Sequence, residues 1–112
     1  MTKDYKKTKE YKEIRESLLN QLEQGGNLNP HFKGLVDDYM RLYIIKNQLA
    51  DDVDARGVVC KYQNGKEQWG YKKNDSVSEL SKVSVQMLKI LQALKISPQN
   101  LKESVDEEDD EL

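Results

Sequence analysis

The residues best suited to chemistry in this sequence are three carboxylates within four positions, Asp51, Asp52 and Asp54. Oxygen ligands crowded in this way suit a hard divalent cation. The run Asp52-Val53-Asp54-Ala55-Arg56-Gly57 even opens like a calcium loop, with acids at positions one and three and glycine at six. The pattern then fails, because Arg56 stands at a ligand position and Gln63 stands where the bidentate glutamate belongs. These acids read as structural, and no metal site is assigned. Their place is still odd, since they fall near the C-terminal end of a helical pattern, where negative charge opposes the macrodipole. Lys61, Lys72 and Lys73 are the cations expected to compensate. Asp37 and Asp38 form a weaker pair, with Arg41 at helical reach of both, and read as a salt-paired surface.

His31 is the only histidine and Cys60 the only cysteine, so one chain can build neither a disulfide framework nor a Cys/His zinc site. His31 has no nucleophile beside it in sequence, and Cys60 falls on the apolar side of an alternating pattern, where a thiol behaves as a small hydrophobe. The sequence holds no P-loop, no G-x-G-x-x-G and no G-x-S-x-G, which leaves nucleotide hydrolysis and esterase chemistry without a basis. We therefore expect neither an enzyme nor a cofactor.

Two sets of cations could meet nucleic acid. Tyr62, Trp69 and Tyr71 stand beside Lys61, Lys66, Lys72 and Lys73, interleaving aromatics with charge as a binding platform does. The preferred reading is that the aromatics pack on helices while the lysines keep an exposed hairpin edge soluble. Lys3, Lys6, Lys7, Lys9, Lys12 and Arg15 make a second cluster, but Lys6, Lys9 and Lys12 each have a glutamate four residues on, at Glu10, Glu13 and Glu16. An internally paired surface is the first reading there, and a DNA-binding arm the second.

These residues must be positioned by a short series of elements. Tyr11, Ile14, Leu18 and Leu22, with Leu19 beside them, predict an amphipathic helix from about Thr8 to Gln24, stopped by Gly25-Gly26. Asn29 as N-cap, Pro30 in the first turn and Gly57 as stop bound a second helix over Pro30 to Arg56. Phe32, Leu35, Val36, Tyr39, Leu42, Tyr43, Leu49, Ala50 and Val53 share its broad face, which should pack on the first and third helices. Met40, Ile44 and Ile45 point elsewhere and are assigned to contact with a neighbouring subunit. After Gly57 the period becomes alternating. Asn64-Gly65 predicts a two-residue hairpin turn, pairing Gln63 with Lys66, Cys60 with Trp69 and Val58 with Tyr71 over an insert of about 58–71. Val58, Cys60, Tyr62, Trp69 and Tyr71 would then share one apolar face. Ser76 with Glu79 reads as a capping box for a third helix carrying Val77, Leu80, Val83, Met87, Leu88, Ile90, Leu91 and Leu94, antiparallel to the second. Ser97-Pro98 opens a short closing segment through Leu101.

The charge is unevenly placed. Residues 103–112 carry seven acids in ten positions, and removing them from the formal −2 leaves +5 for residues 1–102. The chain thus divides into one helical domain, 1–102, and an acidic tail, 103–112, too polar to fold alone. Its charged beginning predicts no signal peptide, and no apolar run approaches the ~20 residues that span a bilayer. A cytoplasmic protein is expected.

The order of these features resembles the small terminase subunits of tailed phages, specifically the P27 family. The resemblance rests on Leu35-Val36-Asp37-Asp38-Tyr39-Met40-Arg41-Leu42-Tyr43, on Arg56-Gly57, and on Met87-Leu88-Lys89-Ile90-Leu91-Gln92-Ala93-Leu94 leading into Ile96-Ser97-Pro98. It covers roughly residues 10–101. Lys95 departs from it, standing where a glycine often precedes the Ser/Thr-Pro segment. The resemblance implies a non-enzymatic packaging factor that forms a homo-oligomeric ring in the host cytoplasm, binds double-stranded viral DNA and recruits the large terminase subunit, which holds the ATPase and nuclease. The expected fold is mainly α, a long antiparallel helical hairpin with an N-terminal helix and a small inserted β-hairpin. A helical protein-interaction scaffold and a small dimeric DNA-binding regulator are the alternatives.

Overall fold

The computed structural model describes residues 4–26 and 29–96. A single 3-10 turn, Tyr5–Lys7, leads into three helices: α1 (Lys9–Gln24), α2 (Pro30–Arg56) and α3 (Asp75–Ala93). Between α2 and α3 lies an antiparallel ribbon of β1 (Val59–Gln63) and β2 (Trp69–Lys73). The protein is mainly helical, as its periodicity predicts. The segment opened by Ser97-Pro98 and the acidic tail lie outside the described residues.

The helix boundaries follow from local chemistry. The Thr8 hydroxyl accepts from the Tyr11 amide at 3.2 Å and caps α1. The Asn29 side chain accepts from the Phe32 amide at 3.2 Å, with Pro30 in the first turn where no donor is lost. Gly57 ends α2 at φ 80°, a backbone region that favours glycine. The start of α3 differs from expectation. Its N-cap is Asn74, whose side chain accepts from the Ser76 amide at 3.0 Å, so Ser76 lies inside the helix and is free to bond elsewhere.

α2 is the central rod, about 40 Å long for its 27 residues. α1 and α3 both pack on it. Leu18 and Leu22 of α1, Val36, Met40 and Tyr43 of α2, and Met87 of α3 form the buried core, with Tyr5, Leu94 and Ile96 closing it. Tyr11 meets Tyr43 with ring centroids 5.9 Å apart, and Arg15 reaches Asp37 at 3.9 Å, which ties α1 to its flank of the rod. On the other flank α3 runs antiparallel, bringing Gln86 and Ile90 beside Leu42 and Ile45.

This sandwich corrects the division of α2 made above. Met40 is only 1% exposed and belongs to the chain's own core, and Ile44 packs against that core. The turn that is apolar nearly all round is buried from two sides by one chain. Ile45, at 38%, is the member of the trio that stays exposed. On α3 the apolar stripe is wider than α2 can cover, which leaves Val77, Val85 and Leu88 in solvent.

Candidate nucleic-acid interface

The ribbon is anchored at its root by a compact polar junction. Arg56 donates to Asp52 through Nε and Nη2, both at 2.7 Å, and the Ser76 hydroxyl donates to Asp52 Oδ2 at 2.6 Å. Arg56 Nη2 also reaches Asn74 Oδ1 at 3.0 Å, and Arg56 Nη1 lies 3.7 Å from Cys60 Sγ. Asn74, only 2% exposed, donates its side-chain amide to the Gly57 carbonyl at 3.0 Å, while its backbone N–H donates to the Val58 carbonyl at 2.7 Å. One cluster therefore joins the last turn of α2, both ends of the ribbon and the first turn of α3. The Arg56 guanidinium, and after it the Ser76 hydroxyl, hold the Asp52 carboxyl well below the usual carboxylate range.

Of the acids at the end of α2, Asp52 is compensated by Arg56, one turn on, in place of Lys61, Lys72 and Lys73. Asp51 has a different partner: it accepts the Tyr5 hydroxyl, and that bond with burial pushes the Tyr5 phenol up to about 12. Among the described residues no group of His, Cys, Asp and Glu side chains is arranged to hold a metal. Arg41 pairs with Asp38 at 3.8 Å, while Asp37 turns to Arg15.

Above its root the ribbon departs from the expected register. The observed pairs are Val59 with Lys73, Cys60 with Lys72, Lys61 with Tyr71, Tyr62 with Gly70 and Gln63 with Trp69. The connection is a five-residue loop, 64–68, in which the Asn64 amide donates to the Gln68 carbonyl at 2.6 Å. Relative to a two-residue turn, this slides the pairing by an odd number of residues. Side chains alternate with period two, so the slide carries β2's aromatics to the face opposite Cys60. Cys60 turns inward and is buried, as expected of a small hydrophobe. Tyr62, on the same face, lies across Gly70, where a Cβ would meet its ring at 3.1 Å.

The outer face therefore carries Val59, Lys61, Gln63, Trp69, Tyr71 and Lys73. Trp69 is 56% and Tyr71 68% exposed, so these aromatics do not pack on the helices as the preferred reading required. Their rings meet edge to face at 6.2 Å, and Lys61 Nζ stands 4.8 Å from the Trp69 ring centroid. Lys66 sits in the tip loop and Lys72 on the opposite face beside Cys60. Among the described residues, none of Lys61, Lys66, Lys72 and Lys73 forms an ion pair. Where the outer face meets α3, a groove of about 700 Å³ opens between Val58, Val59 and Lys73 on one side and Val77, Ser81 and Lys82 on the other.

The N-terminal cations are placed otherwise. Lys7 pairs with Asp4 at 3.8 Å, Lys9 with Glu13 at 3.7 Å and Arg15 with Asp37, while Lys6 and Lys12 are exposed. Lys3 lies outside the described residues.

Compared with known families, residues 12–111 match the phage terminase small subunit. The chain belongs to that family. No curated protein and no solved structure matches it. The terminase small subunit is the non-catalytic member of the packaging machinery, with the ATPase in the large subunit. The fold contains, among the described residues, no helix long and apolar enough to cross a membrane.

Three features of this small subunit were not read from the sequence: the Asn74 cap, the outward aromatics and the exposed apolar stripe of α3. Asn74-Asp75 did carry a signal, an N-cap residue followed by an acid for the first turn. The loop offered one too, since Asn64-Gly65 serves a five-residue connection as readily as a tight turn.

Proposed function

We propose that this terminase small subunit binds double-stranded viral DNA through the outer face of its hairpin, assembles into a homo-oligomeric ring, and recruits and regulates the large subunit. The observation that carries the DNA-binding step is the exposed pairing of Trp69 and Tyr71 with Lys61 and Lys73 on one ribbon face. A two-stranded ribbon is narrow enough to enter a major groove, with lysines on the phosphates and aromatics against the groove wall. One subunit supplies few phosphate contacts. A ring multiplies them, giving avidity without new chemistry.

The ring reading is supported by what the packed chain leaves apolar and exposed, Ile45 on α2 with Val85 and Leu88 on α3. With Met40 buried and Ile44 packed on the core, Ile45 is kept from the original trio and joined by Val85 and Leu88 as the proposed contacts. Host cytoplasm is the compartment in which such a packaging factor would act.

Fluorescence anisotropy with a duplex oligonucleotide tests the proposal. Binding should weaken at least tenfold between about 50 and 200 mM salt as counterions compete for phosphates. Combined Lys61→Glu and Lys73→Glu should weaken it at least tenfold at low salt. An affinity insensitive to both changes would rule out the hairpin as the DNA-binding face.

A further inference from the structure

We propose that the acidic segment 103–112 docks on the hairpin of its own chain and is displaced from it by DNA. The inference deepens the reading of the hairpin as the DNA-binding face and rests on it. Its first support is charge complementarity. Between Gly57 and Asn74 the chain carries Lys61, Lys66, Lys72 and Lys73 against a single acid, Glu67. None of these four lysines has a carboxylate partner among the described residues; Lys6, Lys12, Lys33, Lys46 and Lys89 share that property but are scattered over the helices, whereas the four stand together on one ribbon. Seven acids in ten positions form the complementary block elsewhere in the sequence.

Reach is the second support. α3 begins beside the hairpin root and its 19 residues carry the chain about 28 Å away. Sixteen residues follow Ile96, and extended backbone at about 3.4 Å per residue spans about 54 Å. About ten of those residues suffice to return along α3, which brings Asp106, Glu107, Glu108, Asp109, Asp110 and Glu111 to the hairpin. Tethering keeps the effective concentration of carboxylate high at the lysines. DNA presents the same anionic chemistry at higher density, so it displaces the segment where contacts are many and loses where they are few. The segment thereby raises the threshold for DNA binding toward assembled rings.

The test uses the full chain with six tail acids neutralised, Asp106→Asn, Glu107→Gln, Glu108→Gln, Asp109→Asn, Asp110→Asn and Glu111→Gln. Trp69 is the only tryptophan, so its indole N–H gives a single NMR reporter on the outer face. In DNA-free protein that resonance should move on neutralisation. Raising salt from about 50 to 300 mM should move the unaltered protein toward the same position. Duplex affinity at low salt should rise about tenfold. A resonance that stays in place overturns the proposal even if binding tightens, because a tail that only repels DNA at long range would tighten binding without docking. If neither protein binds duplex while the resonance moves, docking stands and the DNA-binding reading of the hairpin fails.

Discussion

Two adjoining regions of this terminase small subunit use charge in opposite ways. At the α2–α3 junction Asp52, Arg56, Asn74 and Ser76 satisfy one another within 3.0 Å, and Asn74 alone of the four is buried. On the outer face of the hairpin, one strand away, Lys61 stands over the Trp69 ring and neither Lys61 nor Lys73 forms an ion pair among the described residues. A satisfied polar cluster in a partly dry site defines geometry, and removing one member strands the others. Unpartnered cations on a ribbon define little about the fold and leave their charge available to an anion. The junction holds the hairpin's root so that its outer face can project.

The largest expected effect comes from breaking the junction. Asn74→Ala removes the α3 cap and leaves the Gly57 carbonyl short of a donor and Arg56 short of an acceptor, so urea unfolding should show a loss of about 2–4 kcal/mol. If stability changes by less than half a kcal/mol, the junction is not what holds these elements together. Next in size is Trp69→Ala. It should leave the urea midpoint unchanged, because the ring contributes nothing to the core, while duplex affinity falls about tenfold. A loss of stability with affinity preserved would reverse the roles assigned to the two regions.

The contrast also accounts for what could be read in advance. Boundaries of α1 and α2 were legible because Thr8, Asn29, Pro30 and Gly57 act within a few residues of where they stand. The face of α2 that meets a neighbour was not, since helical spacing places Met40 and Ile44 around an axis without saying how many helices surround it. α1 and α3 together cover more of α2 than one flank would, and that is a tertiary fact. The hairpin failed for a sharper reason. Asn64-Gly65 located the turn, but the loop runs to Gln68, and an odd slip in register exchanges the faces of β2. The platform residues Lys61, Trp69, Tyr71 and Lys73 were therefore all identified by type and spacing, and the lysines were placed in solvent as observed, while the exposure of Trp69 and Tyr71 was assigned the wrong way round.

Smaller in its effect on the single chain is Ile45→Asp. The side chain is already 38% exposed, so the helical content of the chain should hold while native mass spectrometry shows loss of assembly. Leu88→Asp should act in the same way. Met40→Ala serves as the control, since deleting a core side chain should destabilise the chain itself by about 2–5 kcal/mol. An oligomer unaltered by both aspartates would move the subunit contact elsewhere on the molecule.

The smallest effect is a difference in pH dependence. Asp52 is held below the ordinary carboxylate range by Arg56 and Ser76 in the folded chain only. A carboxylate with a depressed folded value stabilises fully above its unfolded value near 3.8, and that contribution is lost as pH falls from there through the folded value. Thermal melts by circular dichroism should show the unaltered protein losing stability below about pH 4 more steeply than Asp52→Asn, whose amide does not titrate. Tyr5 runs the other way. Its phenol is raised from 10.0 to about 12 by Asp51, so its contribution is complete below pH 10 and is lost as pH climbs from 10 through 12. Tyr5→Phe should flatten the alkaline limb without touching the acid one. The two substitutions act at opposite pH extremes because one residue gives its partner a proton to share and the other must stay without one. If Asp52→Asn instead shifts the alkaline limb, or leaves the acid limb as steep as before, Arg56 is not what holds Asp52 ionised and the junction loses its electrostatic centre.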